Sequence, residues 1–175
     1  MKKFKLTSEF IVDISGVKLF RIKALIEFGN VKAGDLGGYI EKEENLSHMG
    51  NAWVSGNARV SGNARVSGDA QVFGDARVSG NAQVFGDARV SGDKDYAYAH
   101  GFGSCNRTTT FFRLKDGDVG VRCGCFYGTL AQFRDNVCET HGETKKAQEY
   151  LMLADLMELR FEEDENEVGN RKYVE

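Results

Sequence analysis

The stretch that decides the fold is GNAWVSGNARVSGNARVSGDAQVFGDARVSGNAQVFGDARVSGD, residues 50–93. Valine recurs every sixth residue, at Val54, Val60, Val66, Val72, Val78, Val84 and Val90. Alanine leads each valine by two positions, from Ala52 to Ala88, and glycine follows each by two, from Gly56 to Gly92. Ala-x-Val has period two, so both side chains point to one face of a short strand. Gly-Asn or Gly-Asp then makes a corner, because these residues tolerate positive φ. Strands that turn every sixth residue cannot form hairpins and must stack on later copies of themselves. The expectation is a β-solenoid, three sides to an eighteen-residue coil, with valine filling the interior. The seven hexads make about two and a third coils, a stack of roughly 11 Å at ~4.8 Å per coil. So short a stack needs caps and, on this reading, neighbouring chains.

Two outward columns flank the valines. One reads Trp53, Arg59, Arg65, Gln71, Arg77, Gln83, Arg89; the other reads Ser55, Ser61, Ser67, Phe73, Ser79, Phe85, Ser91. Residues eighteen apart stack, which sets Arg59 beneath Arg77. Stacked like charges point to an anion seat, or else to arginines paired with the corner acids Asp69, Asp75 and Asp87. Phe73 and Phe85 sit where serine is the rule. They suggest a subunit interface, or a stacking surface beside the arginines.

The repeat resembles the hexapeptide-repeat family, whose fold is a left-handed parallel β-helix. That resemblance supplies the handedness, and it implies trimers with ligands in the clefts between chains. The lead-in GDLGGYIEKEENLS, the NAWV entry, and the later segments FGSCNRTTTFFR and CGCFYGTL resemble phage and prophage hexapeptide-repeat proteins. This second resemblance covers nearly the whole chain. It implies a phage origin and action in the cytoplasm of a host bacterium, and assigns no catalytic residue.

Around the repeat, residues 1–49 are expected to form an N-terminal β cap, with alternating strands near Phe4–Leu6 and Val17–Ile22. The coil is assigned to 50–103, with Tyr96–Gly103 as one degenerate turn. Residues 104–175 are expected to form an α+β module. In it Thr108–Leu114 and Val119–Phe126 make a hairpin about Lys115–Asp118. One helix is capped by Thr129 and stops near Gly142, and a second runs from about Thr144 to Phe161. The second should bury Tyr150, Leu153, Leu156 or Met157, and Phe161. Glu162–Glu165 reads as a frayed acidic tail. The fold class is therefore mainly β: a capped parallel β-helix with a small α+β C-terminal module.

The chemistry is sparse. A formal net charge of −3 gives no general affinity for nucleic acid or membrane. The N-terminal MKKFKLTSEF has no apolar run behind it, so neither a secretory signal nor a membrane span is expected. The four cysteines then belong to a reducing compartment. Cys123, Cys125, Cys138 and His141 are weak candidates for four zinc ligands, and the cysteines read more simply as small core residues, so no metal is expected. Arg107, Thr109 and Arg113, with Arg122 nearby, could hold a phosphate or carboxylate, or simply decorate a hairpin. Acyl transfer, common in the hexapeptide family, needs a histidine base. His48 takes a valine register position in the cap, and His100, just after the coil, is the remaining candidate.

The reading is a non-catalytic phage protein, with no cofactor, that counters bacterial defence by sequestering a small nucleotide-type anion between subunits. Arg59, Arg77, Phe73, Phe85, Arg107, Thr109 and Arg113 are its candidate ligand residues. The alternatives are a module that binds a host defence protein or joins a phage assembly, and an acyltransferase.

Overall fold

The computed structural model describes residues 1–162. The expected acidic tail at Glu163–Glu165 lies outside them. Seven two-residue strands carry the repeat: β4 (Trp53–Val54), β5 (Arg59–Val60), β6 (Arg65–Val66), β7 (Gln71–Val72), β8 (Arg77–Val78), β9 (Gln83–Val84) and β10 (Arg89–Val90). They pair in parallel at an offset of eighteen residues, giving the ladders β4–β7–β10, β5–β8 and β6–β9. Every repeat alanine and valine is buried in one cluster. At the corners glycine is required twice over. Gly50 has φ +69°, and a Cβ there would sit 2.5 Å from the Gly68 carbonyl oxygen of the next coil.

The N-terminal segment lengthens the coil as well as covering it. β1 (Phe4–Val12), β2 (Lys18–Ala24) and β3 (Leu36–Ile40) form an antiparallel sheet, and β3 then pairs in parallel with β5. Ile40 lies beside Val60 and Leu46 beside Val66, each twenty positions away where repeat partners are eighteen apart. The first coil thus carries two extra residues. Ile40, Leu46 and Val54 fill it, so three coils stand where the valine count implies little more than two. Leu46, and not His48, holds the valine register. His48 instead accepts from the Lys3 N–H at 3.1 Å through Nδ1, and its Nε2 lies 2.7 Å from Glu43.

The coil's open ends are sealed with polar groups as well as apolar ones. The Lys3 ammonium donates to the Gly50 and Ala52 carbonyls at 3.2 and 2.8 Å, and the Asn45 amide donates to those of Gly62 and Ala64. These carbonyls would otherwise be buried without partners.

The far end is closed by the C-terminal module, and here two expectations fail. Tyr96–Phe102 is no degenerate coil turn. It is a strand, β11, antiparallel to β12 (Arg107–Arg113), which continues to β13 (Val119–Cys123) and β14 (Phe126–Thr129). Val119–Phe126 is likewise two strands, because Gly124, at φ +59°, turns the chain between Cys123 and Phe126. β12 is buried on both faces, since it lies between coil and helices. Thr110 and Phe112 face the coil, where the Thr110 hydroxyl accepts from the Gln83 N–H and Phe112 joins the valine cluster. Phe111 faces helix α1 (Leu130–His141) and helix α2 (Lys145–Phe161).

The first helix starts and stops on the expected signals, and the second keeps its expected bounds. Thr129 and Gln132 form a reciprocal capping box, Gly142 ends α1 at φ +56°, and Thr144 caps α2. On α2, Ala147, Tyr150, Ala154, Met157 and Phe161 are buried, while Met152, Leu156 and Leu159 are exposed.

Candidate functional site

The sheet register decides what becomes of each candidate residue. Arg59 lies beside Arg77, within the outward row Arg21–Tyr39–Arg59–Arg77. Arg21 pairs with Glu9 at 3.3 Å. Among the described residues Arg59 and Arg77 form no ion pair, and two of the corner acids are engaged elsewhere. Asp69 and Asp75 accept from Asn51 and Asn57, one coil earlier.

Phe85 is half-buried, its ring met edge-on by Tyr127 at 5.0 Å and covered by the Arg122 guanidinium at 4.8 Å. The C-terminal module occupies this ring, so Phe85 is not free to stack on a ligand or a neighbouring chain. Phe73 remains 38% exposed. Phe85→Ala is therefore expected to cost about 2 kcal/mol of unfolding free energy. Phe73→Ala should stay within about 0.5 kcal/mol. Urea unfolding of the two variants separates these roles.

Thr109 and Arg113 also leave the candidate list. Thr109 is 1% exposed, and its hydroxyl donates to the Cys123 sulfur at 3.2 Å. Arg113 donates to the Phe161 carbonyl at 2.8 Å, satisfying the end of α2, and to that of Gly117. Alternation along β12 puts Arg107, Thr109 and Arg113 on one face, but the helices cover that face from Thr109 onward.

Arg107 stays open. It lines a cleft of about 330 Å3 with Ser104, Cys123, Cys125, Phe126, Phe133 and the α1 residues Asn136, Thr140 and His141, with Tyr150 alongside. Its guanidinium crosses Gly124, where a Cβ would lie 2.3 Å from Nη1. In the same lining, Ser104 Oγ is 3.2 Å from His141 Nε2 and 3.5 Å from the Tyr150 hydroxyl. Tyr150 accepts from the Ser104 N–H at 3.0 Å, and the imidazole of His141 stacks on its ring. Burial raises the Tyr150 phenol above its ordinary value. Cys105 and Asn106, beside this loop, hold positive φ of 59° and 47°. That is uncommon for residues other than glycine, and such strain collects at functional sites.

The wall is rich in donors: a guanidinium, hydroxyls, an amide and an imidazole, with no carboxylate among its lining residues. Such a wall suits an anion. A larger, more open groove of about 510 Å3 beside the cap is lined by Glu43, Glu44, His48 and Arg65. There Glu43 already binds Lys2 and His48.

The weak zinc candidates Cys123, Cys125, Cys138 and His141 are not gathered. Cys123 is buried, Cys125 and Cys138 are exposed, and among the described residues no three His, Cys, Asp or Glu side chains are placed to hold an ion. His100 Nδ1 meets Thr108 Oγ1 at 2.9 Å across the β11–β12 ladder, away from both clefts. Of the expected site residues, then, Arg107 and His141 meet in one cleft, with Cys123 and Cys125 at its edge.

A family model, the YdcK beta solenoid repeat, matches residues 52–68, 58–72, 70–84 and 82–93. The coil is a β-solenoid. The match ends at the last coil, so the solenoid is recognised by its repeat while the cleft belongs to the module beyond it. No curated protein matches the chain.

Proposed function

We propose that the protein binds and sequesters a small nucleotide-type anion, without turning it over, in the cleft of its C-terminal module. The observation that carries this reading is that the exposed Arg107 and the hydrogen-bonded Ser104–His141 pair line one cleft, with no carboxylate among its lining residues. Phe126 and Phe133 add an apolar wall, which a base or sugar could meet. Among the described residues no carboxylate bonds to His141, so the Ser104–His141 pair lacks the third group that would orient a general base. This supports binding over acyl transfer.

The biological setting is part of the same proposal: a phage protein acting against bacterial defence in the host cytoplasm, on a left-handed coil, as a trimer. The resemblance to phage hexapeptide-repeat proteins supports it, and the open Phe73 suits a subunit contact.

The test is the native mass of the protein purified from bacteria, before and after denaturation. The expected result is a trimer that releases a small phosphate-containing molecule. A chain that carries nothing and retains no added nucleotide refutes sequestration. Arg107→Gln is expected to weaken retention by roughly tenfold or more, the weight of a charge-assisted hydrogen bond. Equilibrium dialysis measures the loss.

One observation favours a protein partner instead. Met152, Leu156 and Leu159 are exposed at helical spacing along α2. A stoichiometric partner that binds the wild type and is lost with Leu156→Glu would support this second reading.

A further inference from the structure

The hydrogen bond between Ser104 and His141 has a direction, and that direction controls what the cleft offers an anion. A neutral imidazole can accept the Ser104 proton at Nε2, leaving oxygen lone pairs toward the cleft. A protonated ring must donate at Nε2. Ser104 then receives that hydrogen bond, and its own O–H can donate to a ligand in place of the long 3.5 Å contact with the Tyr150 hydroxyl. Protonation also adds a second positive charge to the cleft that Arg107 lines. Both changes favour an anion, and both come from one proton on one ring.

The groups around His141 are compatible with such a role. From α2 come Tyr150, stacked on the ring, and Glu149, whose carboxylate accepts from the Gly103 N–H at 2.7 Å. β12 contributes Arg107, β13 contributes Cys123, and the turn after it contributes Cys125. Cys138 lies on the helix of His141 itself and is exposed. His141 closes the last turn of α1, where the unpaired helix carbonyls favour a positive charge.

We propose that the cleft is a proton-coupled phosphoryl seat for a nucleoside phosphate. Its phosphate oxygens lie between Arg107 and the Ser104–His141 pair, its base meets Phe126, and tight binding requires His141 to be protonated. This rests on the reading above that the cleft binds a nucleotide-type anion. It adds the ligand's phosphate as the recognised group and pH as the control.

The experiment is calorimetric titration with adenosine 3′,5′-cyclic monophosphate. This probe's phosphodiester keeps one negative charge throughout the histidine range. Binding is expected to be roughly tenfold tighter near pH 6 than near pH 8, with net proton uptake. His141→Gln should flatten that difference, and Ser104→Ala should shrink it. A readout that needs no variant is the His141 imidazole titration by NMR, which should shift to higher pH when the probe binds. Equal affinity at both pH values, or a pH dependence that survives His141→Gln, overturns the proton coupling and leaves the binding reading intact. No binding at either pH overturns both.

Discussion

Phe112→Ala is expected to lower the unfolding free energy by about 3–5 kcal/mol, the cost of truncating a fully buried phenylalanine. Phe112 is 0% exposed and belongs to the same buried cluster as the valines of the coil. It lies between Tyr96 and Gly120 on the neighbouring strands, and a Cβ at Gly120 would come within 2.6 Å of its ring. The sheet is thus built around this side chain and cannot easily close over its loss. Typical domains have only about 5–15 kcal/mol of stability, so the fraction removed is large. A second effect should follow. β12 seals the last coil through the Gln83–Thr110 hydrogen bond and the Ala88–Leu114 bridge. Loosening that seal bares parallel strand edges, which pair readily with other chains. Urea unfolding with light scattering checks both parts. A variant that unfolds within about 1 kcal/mol of the wild type would show that Phe112 does not plug the coil.

The second large effect is a pH dependence of stability that originates at Lys3. Burial, the dominant cause, lowers the Lys3 ammonium from 10.5 to about 8, against a smaller opposing pull from Asp69. The folded chain therefore releases this proton near pH 8, and the unfolded chain near 10.5. Between those values the unfolded state binds more protons, so stability rises with pH. Below pH 8 both states carry the charge, and the folded state bears the whole penalty of about 3 kcal/mol. Above 10.5 both are neutral and the penalty is gone. Two carbonyl acceptors and the Phe28 ring, 4.6 Å from Nζ, make the buried charge tolerable without removing its cost. Lys3→Met lacks the titrating group. From about pH 7.5 to about pH 10 the wild type should gain roughly 2–3 kcal/mol on this variant. Parallel stability curves would mean that Lys3 keeps its ordinary affinity for protons.

How much of this was legible from residues alone differs sharply between coil and cleft. The alanine–valine alternation and the glycine corners determine three parallel ladders, because each hexad repeats one local geometry and the coil needs only contacts eighteen residues apart. Arg59 beside Arg77 follows from the same arithmetic. The helix cap at Thr129 and the start of the second helix near Thr144 were equally readable, since such signals are local. What period alone could not supply was the longer first coil. Its two extra residues shift the register, so that Leu46, and not His48, faces inward. Nor could alternation tell which face of β12 is open. It put Arg107, Thr109 and Arg113 together, and only the docking of α1 and α2 buried Thr109, tied Arg113 to the end of α2 and left Arg107 free. Phe85, like Phe73, stands out in a serine column, but its partners Tyr127 and Arg122 lie about forty residues away on the capping sheet. Ser104 and His141 carry no shared motif and are thirty-seven positions apart. The solenoid was decided by local repetition in the sequence. The cleft exists only because a sheet that caps the coil also carries two helices on its other face, and such long-range packing leaves no periodic trace.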